Sequence, residues 1–372
     1  MLDFTSSLYL GFDHASQSLP GWTRLTLGKP AALEELEGTP EIEKDLAALT
    51  GCEAAALGTS TLHLFWDLFG MLAKPGSNIF LDQGSYPIAR WGVERAVVAG
   101  AAVGSFSRSD VDALRSAMRR SPPGRPIVVT DGFRPALGSA APLADYAECV
   151  GSRGGLVVVD DTQALGIFGQ SIEAFPPYGR GGGGSLWRLT RRREEIVVVS
   201  SLAKAFGAPV AMLGGAAGLL AGFRRSSQTR VHCSPPSAAS LSATRQALEE
   251  NRRCGDSLRR RLSALVARFR KGLRALGLLT VPGCFPVQPL RLPEDARAER
   301  VYEDLLGRGV RSVLYRPTGE GAARIGFIFT ARHRRSEIDC ALEALAAAVP
   351  RDAIRSVGVS WSGFTNRSEC YG

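Results

Sequence analysis

Short apolar runs alternate with helical patterns through the first two thirds of the chain. Runs rich in Val, Ile, Leu and Ala, several without a polar interruption, indicate strands that are covered on both faces. These runs occupy residues 54–57, 78–81, 101–106, 126–130, 156–160, 195–200 and 210–214. Between them, apolar residues recur at the spacing of an amphipathic helix over 41–49, 62–72, 88–99, 109–119 and 142–152. This alternation predicts an α/β domain built on a mostly parallel sheet.

The pattern changes after about residue 235. Residues 237–276 carry one long helical pattern or two in succession, and short strand patterns follow at 287–290, 310–313 and 324–330. A last helix is predicted over 336–349, with Ser336 as its N-cap. We therefore expect four parts: an N-terminal segment (1–36), a large domain (37–236), a small α+β C-terminal domain with its linking helix (237–350) and a tail (351–372).

The composition is that of a globular protein, with 45% apolar and 22% charged residues, which excludes a disordered chain. The longest apolar stretches, such as residues 205–220, contain Gly and Pro and fall short of the ~20 residues that a membrane span needs. The first residues predict no signal peptide. Seven scattered cysteines without a CxxC pair favour free thiols in the cytoplasm, with no metal site. The glycine-rich residues 178–185 predict a flexible loop.

Positive charge is the unusual feature of the composition. Lys and Arg number 45 against 36 Asp and Glu, a net charge of +9, yet only five of the cations are lysines. A solvated basic surface accounts for this charge, and no nucleic-acid partner is expected. The helical pattern over 251–274 concentrates arginines opposite its apolar face. That basic face is either solvated or a docking surface, centred on residues 259–261, for an acidic acyl or peptidyl carrier protein.

Three predicted element ends carry residues suited to chemistry, because ligands of open α/β sheets bind outside the carboxyl ends of the strands. Asp160 directly follows four apolar residues, so its carboxylate stands at a sheet edge or caps a helix. Lys204 lies in a turn of small apolar residues, where burial would make its amine a nucleophile or base, unless it is simply solvated. Ser60, Thr61 and Leu62 open a helix and form either an anion site or an ordinary cap.

An anion loop, a carboxylate and a lysine together make the set that pyridoxal 5′-phosphate (PLP) requires. The order of motifs over residues 2–345 resembles the α-oxoamine synthases, a family of PLP-dependent enzymes. The opening LDFTSSLYLG is similar to the family's FxSNxYLG, and residues 130–143 are similar to TEGxFSMDGxxAPL. The run DDTQ at 160–163 resembles DEAH, SLAKAFG at 201–207 resembles TLxKAxG, and residues 324–333 resemble RLRxxxxAAH.

The resemblance implies a role for several residues. Lys204 matches the lysine that holds PLP as a Schiff base, and Asp160 matches the partner of the ring nitrogen. Gln163 falls where the family has the His that approaches the 3-hydroxyl of the cofactor. Tyr86 takes the place of the His that stacks on the ring, which an aromatic face can also do. The phosphate is expected at Ser60, Thr61, Leu62 and Ser201.

The resemblance also implies a fold and an assembly. The expected fold is that of PLP-dependent transferases of fold type I, an α/β architecture with a mostly parallel seven-stranded sheet and a smaller α+β C-terminal domain. The family forms homodimers with composite active sites, so a homodimer is expected here.

Two departures from the family bear on the substrate. Pro135 replaces a Ser near the ring, so one hydroxyl is lost. Gly326 replaces the second Arg of RLR, which grips the substrate carboxylate in the family. Arg324 lies two residues away, and on a strand it would face the same side. The chain therefore either takes an amine whose carboxyl is masked, or holds a free carboxylate through Arg324.

The function that follows is acyl transfer. We expect a PLP-dependent acyltransferase of specialised metabolism that condenses an amino-acid-derived carbanion with an acyl thioester, usually with loss of CO₂. The cofactor machinery is shared with aminotransferases and other enzymes that react at Cα, so such a reaction is the alternative. A regulator that binds PLP without turnover is a third hypothesis.

Overall fold

The computed structural model describes residues 1–171, 177–189, 193–292, 296–316 and 323–350. The predicted tail, residues 351–372, lies outside them. In chain order, the strands are β1 (Leu2–Asp3), β2 (Ala54–Gly58), β3 (Ser77–Asp82), β4 (Ala102–Phe106), β5 (Arg125–Asp131), β6 (Phe133–Arg134), β7 (Ser139–Ala140), β8 (Leu156–Asp160), β9 (Ile196–Ser201), β10 (Ala211–Gly215), β11 (Leu279–Thr280), β12 (Val287–Arg291), β13 (Val310–Arg311), β14 (Val313–Tyr315) and β15 (Arg324–Ile328).

Helices separate most of these strands. They are α1 (Thr39–Thr50), α2 (Thr61–Leu72), α3 (Pro87–Val98), α4 (Val111–Arg120), α5 (Leu143–Gly151), α6 (Ala217–Ser226), α7 (Gln228–His232), α8 (Ala238–Glu250), α9 (Asp256–Ala275), α10 (Ala298–Gly307) and α11 (Arg335–Ala348). A π-helical turn, Asn251–Gly255, joins α8 to α9. None of the described helices is long and apolar enough to cross a membrane.

The main sheet has seven strands in the order β2-β10-β9-β8-β5-β3-β4. Every neighbouring pair is parallel except those of β10, which runs antiparallel to both β9 and β2. The apolar runs of β5, β8 and β9 are almost fully buried, because helices cover the sheet. On α2, for example, Phe65, Leu68 and Phe69 join the core beneath the strands. The predicted seven-stranded, mostly parallel sheet is confirmed.

The antiparallel β10 creates a hairpin that carries Lys204. Leu202 N–H donates to Val210 O at 2.8 Å and Ala208 N–H donates to Leu202 O at 3.2 Å, so the chain reverses directly after β9. Gly207 has φ +64°, and a Cβ there would overlap the carbonyl oxygen of Phe12. Only glycine satisfies both conditions, which explains the glycine at the end of the SLAKAFG run.

A smaller unit contains a four-stranded antiparallel sheet in the order β11-β12-β15-β14, together with α10 and α11. The chain divides into two compact units, the larger of which comprises Ser7–Ser263 and Thr330–Arg332. The smaller unit comprises Met1–Ser6, Ala264–Phe329 and the described residues from His333 onward. The four-part domain division drawn from the sequence stays a prediction.

Helix α11 begins earlier than predicted. Its N-cap is Arg334, because the Glu337 carboxylate accepts the Arg334 N–H at 2.8 Å and so closes the first turn around that residue. The prediction of Ser336 as N-cap is therefore wrong.

Arg259 is buried, with 2% of its surface exposed, and so cannot belong to a basic docking surface. Its Nη1 donates to Gly166 O at 2.9 Å and to Asn251 Oδ1 at 2.8 Å, and its Nη2 donates to Asp256 at 2.6 Å. The prediction of an exposed cluster over 259–261 is wrong at this residue. Its guanidinium satisfies backbone and side-chain acceptors inside the larger unit.

The glycine-rich segment 178–185 is packed, and the composition-based expectation of a flexible loop is wrong. Gly184 N–H donates to Phe168 O at 2.7 Å and Gly181 N–H donates to Asp256 Oδ1 at 2.9 Å. A Cβ at Gly182 would collide with the Arg259 guanidinium. The glycines thus permit close backbone approach around a buried arginine.

Candidate active site

Residues from separate motifs lie along the carboxyl edge of the main sheet. In the strand register, Gly58 at the end of β2 is opposite Ala211, and Ala211 is opposite Ser201 at the end of β9. On neighbouring β8 and β5, Asp160 is opposite Asp131. The edge therefore presents, in order, the loop that opens α2, the Lys204 hairpin and two carboxyl groups.

Lys204 sits among apolar neighbours in the hairpin between β9 and β10. Leu202, Ala205 and Phe206 on either side of it are buried. Burial lowers the pKa of the Lys204 amine, and the charges of Asp160 and Asp131 oppose that shift without cancelling it. The amine is therefore more available in its neutral, nucleophilic form than that of a surface lysine.

Asp160 is a buried carboxyl group with a single local anchor. Thr162 N–H donates to its Oδ1 at 3.0 Å. Burial raises the pKa of Asp160, against the opposing effects of Thr162 and Lys204. Among the residues that the structure describes, none forms a salt bridge with Asp160. A buried carboxylate without an ionic partner is suited to a cationic ring N–H supplied by a ligand.

Asp131 is a second carboxyl group at this edge. The residues predicted from the sequence to form the site do not include it. Its Oδ1 accepts the backbone N–H of Tyr86 at 2.9 Å. Burial, and then the charge of Asp160, raise the pKa of Asp131 to about 7. Its signal was present in the sequence, because it follows the apolar run 126–130 just as Asp160 follows 156–159.

Tyr86 directly precedes α3, and its side chain is half exposed. It is the N-cap residue, with Pro87 in the first turn, and its main chain is tied to Asp131. The ring is thus carried by a backbone that is fixed to the end of β5, on the same sheet edge as Asp160.

Ser60 caps α2 at the end of the β2 loop. Its hydroxyl accepts the His63 N–H at 3.4 Å and contacts the His63 Nδ1 at 2.8 Å. The N–H groups of Thr61 and Leu62 lie in the first helical turn, where no intrahelical acceptor exists. Ser201 is two strands away from β2, roughly 10 Å across the sheet. The N–H groups of Thr61 and Leu62, together with the hydroxyl groups of Ser60 and Ser201, are donors that suit a phosphate group.

Gln163 lies three residues after Asp160, and its amide oxygen is held from the N-terminal segment. The hydroxyl of Tyr9 donates to Gln163 Oε1 at 2.7 Å. Tyr9 is almost completely buried, whereas Gln163 is partly exposed.

The smaller unit explains the glycine at residue 326. A Cβ at Gly326 would overlap the ring of Tyr315, which lies on the adjacent strand β14. Arg324, two residues earlier on β15, is exposed, and no described residue forms a salt bridge with it. The tyrosine ring thus occupies the space that a side chain at residue 326 would need.

A family model described as aminotransferase class I and II matches residues 14–345. This chain belongs to that family. Among its relatives, the 8-amino-7-oxononanoate synthase of Alcanivorax borkumensis is 30% identical over 318 residues, which cover 84% of this chain and 78% of the relative. The enzyme of the same name from Halorhodospira halophila is 32% identical, over 82% and 74% of the two chains. The resemblance to the α-oxoamine synthases within the family is confirmed.

Solved structures show the fold of the family. Serine palmitoyltransferase of Sphingomonas wittichii superposes with a TM-score of 0.81 at 19% identity, over 96% of this chain and 88% of that one. The 8-amino-7-oxononanoate synthase of Francisella tularensis gives a TM-score of 0.73 at 18% identity, over 93% and 97%. The predicted fold type I is therefore confirmed.

PLP is the cofactor of the family's α-oxoamine synthases, and the residues on the sheet edge fit it. Lys204 offers its aldehyde an amine whose pKa is lowered by burial. The buried carboxyl of Asp160, which forms no salt bridge with a described residue, suits its ring nitrogen. The first turn of α2 offers N–H donors for its phosphate. The role of each of these residues stays a prediction.

Asp161 provides a test of the electrostatics around the site. Its side chain is buried, its Oδ2 accepts the Ser185 N–H at 2.9 Å, and its Oδ1 has no hydrogen-bond partner. Burial raises its pKa to about 7 from the ordinary 3.8. The folded chain therefore holds this proton more tightly than the unfolded chain does, so this residue's contribution to stability falls as pH rises from about 4 to 7.

We expect Asp161→Asn to stabilise the PLP-free protein more at pH 8 than at pH 5, as measured by urea unfolding. The exposed Asp112→Asn is the matched control and should show no such trend. An equal effect of Asp161→Asn at both pH values would contradict the raised pKa of Asp161.

Proposed function

We propose that this chain is a PLP-dependent acyltransferase that joins the α carbon of an amino-acid-derived amine to the acyl group of a thioester. The observation that carries the proposal is the buried amine of Lys204 beside Asp160 and Asp131, in a chain related to 8-amino-7-oxononanoate synthases. The names of those relatives support the reaction class and leave the substrate open.

When bound, PLP supplies an electron-accepting ring conjugated to the substrate nitrogen. In the proposal, Lys204 binds the cofactor through Nζ and, once released by the incoming amine, takes the proton from the substrate Cα. Asp160 keeps a proton on the ring nitrogen by charge-assisted hydrogen bonding. Tyr86 stacks on the ring, and Ser60, Thr61, Leu62 and Ser201 hold the phosphate.

The substrate bonds balance without a further reagent. A bond forms between the substrate α carbon and the thioester carbonyl carbon, the carbon–sulfur bond breaks, and the thiolate leaves and takes up a proton. Where the amine keeps a free carboxylate, that group leaves as CO₂ and a proton replaces it at the α carbon.

Thiol release tests the proposal. PLP-loaded protein would be offered amines with and without acyl thioesters, and free thiol and cofactor state would be measured together. We expect thiol release that depends on both substrates, with PLP unchanged at the end. Accumulation of pyridoxamine phosphate without thiol release would identify an aminotransferase instead, and PLP binding without any turnover would identify a regulator.

A second copy of this chain is the partner that the proposal includes. On α2 and α3, Trp66 and Trp91 are 44% and 49% exposed and Val98 is 90% exposed. Exposed apolar side chains at this density indicate a surface that another molecule covers. Light scattering of the purified protein should give twice the mass of one chain, and a stable monomer that binds PLP would oppose this part of the proposal.

The substrate in the proposal is an amine whose carboxyl is tied up, for example as an ester or thioester. Support comes from Gly326, where the Tyr315 ring leaves no room for a side chain. A free amino acid held by exposed Arg324 is the second possibility. The acyl donor is a thioester of coenzyme A or of an acidic carrier protein, and a carrier would have to use exposed cations other than buried Arg259.

Substitutions on β14 and β15 separate the two kinds of substrate. We expect Arg324→Ala to leave the use of an amino ester unchanged. We expect Gly326→Arg to misfold or to gain nothing, because its side chain meets Tyr315, whereas Tyr315→Ala with Gly326→Arg should bind free alanine or serine about 10- to 150-fold more tightly. Binding is measured from the absorbance of the PLP-loaded protein, with Tyr315→Ala as the control. Loss of all substrate binding in Arg324→Ala would show that Arg324 holds a free carboxylate.

A further inference from the structure

Tyr9 and Gln163 form a side-chain pair that the proposed mechanism does not use. They are 154 residues apart in the chain, and the Tyr9 hydroxyl donates to Gln163 Oε1 at 2.7 Å. Tyr9 is 1% exposed, so its hydroxyl cannot turn to bulk water without moving the ring out of the core.

Both partners are carried by fixed backbone. The Tyr9 N–H donates to Ser7 O at 2.8 Å, and Ala331 N–H donates to Tyr9 O at 2.8 Å. After Gln163, the N–H groups of Ala164 and Leu165 both bond to Asp161 O, at 3.0 and 2.9 Å. The pair therefore joins the N-terminal segment to the loop that begins at Asp160.

A primary amide has one acceptor oxygen and two N–H donors. In the observed hydrogen bond the phenol donates to the amide oxygen, so both Nε2 hydrogens point away from the phenol. A half-turn of the amide would replace this bond by one in which Nε2 donates to the phenol oxygen. Gln163 follows Asp160 by three residues, on the loop that borders the same sheet edge.

We propose that Tyr9 is a positioning residue that orients the Gln163 amide so that Nε2 donates to the ring oxygen of bound PLP. This inference rests on the proposed cofactor site and deepens it. A family histidine would present a ring nitrogen there without this help. A flexible glutamine needs a partner on its oxygen, and Tyr9 supplies it.

A double-mutant cycle on PLP binding tests the pair. Tyr9→Phe removes only the hydroxyl, and Gln163→Leu removes both functions of the amide. We expect each single variant to bind PLP about three- to tenfold more weakly. Tyr9→Phe should add no further loss in the Gln163→Leu background, because the hydroxyl acts through the amide. Independent, additive losses would overturn the proposal.

Absorbance of the loaded protein gives a readout that a merely structural tyrosine would not move. An oxygen that loses its donor holds a proton shared with the Lys204 nitrogen more tightly. The pH midpoint of the absorbance change should therefore rise in Tyr9→Phe and in Gln163→Leu. Asp160, Asp131 and Lys204, the ionisable groups identified along this edge, are unchanged in both variants. An unmoved midpoint in Tyr9→Phe would refute the positioning role.

Two further variants guard against loss of folding. Gln163→Glu keeps an acceptor for Tyr9, lacks the N–H donor and adds a negative charge. Its midpoint should therefore rise at least as far as in Gln163→Leu, and a wild-type midpoint would refute donation by Nε2. Tyr146→Phe loses a buried hydroxyl that donates to Asp82 Oδ2 at 3.2 Å. Any loss of PLP affinity in this variant should add to the loss in Gln163→Leu. Because these readouts need PLP binding but no turnover, a protein that binds PLP without thiol release would defeat the proposed reaction alone.

Discussion

Replacing Lys204 by Ala should lower turnover by at least about 10⁴-fold, because the proposed mechanism uses this residue both as the covalent anchor and as the base at the substrate Cα. The hairpin should keep its shape, since the hydrogen bonds that close it come from the main chain of Leu202, Ala208 and Val210. The variant should still bind PLP through the remaining contacts. Its absorbance should be that of the free aldehyde, because no lysine amine is left to react with it.

The matched control is Lys74→Ala, which removes an exposed lysine outside the sheet edge. It should keep wild-type turnover and the wild-type spectrum. Thiol release and cofactor absorbance, measured on both proteins after gel filtration, decide the outcome. If Lys204→Ala retained catalysis, the covalent role would belong to another amine.

Replacing Asp160 by Asn should have opposite effects on activity and on stability. Asn keeps the acceptor for Thr162 N–H but loses the charge that, in the proposed mechanism, holds a proton on the ring nitrogen, so we expect turnover about 10²- to 10³-fold lower. In the PLP-free protein, burial raises the pKa of Asp160, which means that its ionised form is costly. At a pH above neutral, removing that charge should raise the melting temperature of the PLP-free protein.

The comparison is made by calorimetry with and without PLP. Wild type should gain more stability from PLP than Asp160→Asn does, because the cofactor supplies the missing cation. Asp112→Asn, a change of the same kind at an exposed residue, should leave both measurements unchanged. Equal stabilisation of wild type and Asp160→Asn by PLP would argue against a bond between Asp160 and the ring nitrogen.

Much of the main sheet could be predicted from the sequence because its strands are buried on both faces. Nearly continuous apolar runs, such as the one in 156–160, directly predict strands of this kind. The direction of β10 could not be predicted, because an apolar run carries no information on its orientation. Helix α6 was missed because its glycines and short apolar stretch give a weak helical period.

Side chains whose surroundings come from distant parts of the chain were the least predictable. Arg259 lies in an arginine run that is typical of a solvated face, and its burial depends on Gly166 and on Asn251 in the π-helical turn. Tyr9 lies in the N-terminal motif, but the sequence predicts no role for it, since its partner Gln163 is 154 residues away. Asp160 and Lys204 could be predicted because Asp160 directly follows an apolar run and Lys204 lies in the short turn after another.

The two parts of the proposed cofactor site come together over very different distances along the chain. Strands β9 and β10, which flank Lys204, meet across the turn 202–210, whereas Gly58, which leads into the phosphate loop, must pair with Ala211. Local pairs close early in folding, and long-range pairs wait for the entropy cost of a large loop to be met. On this basis we expect the hairpin around Lys204 to form before β2 pairs with β10 at Gly58.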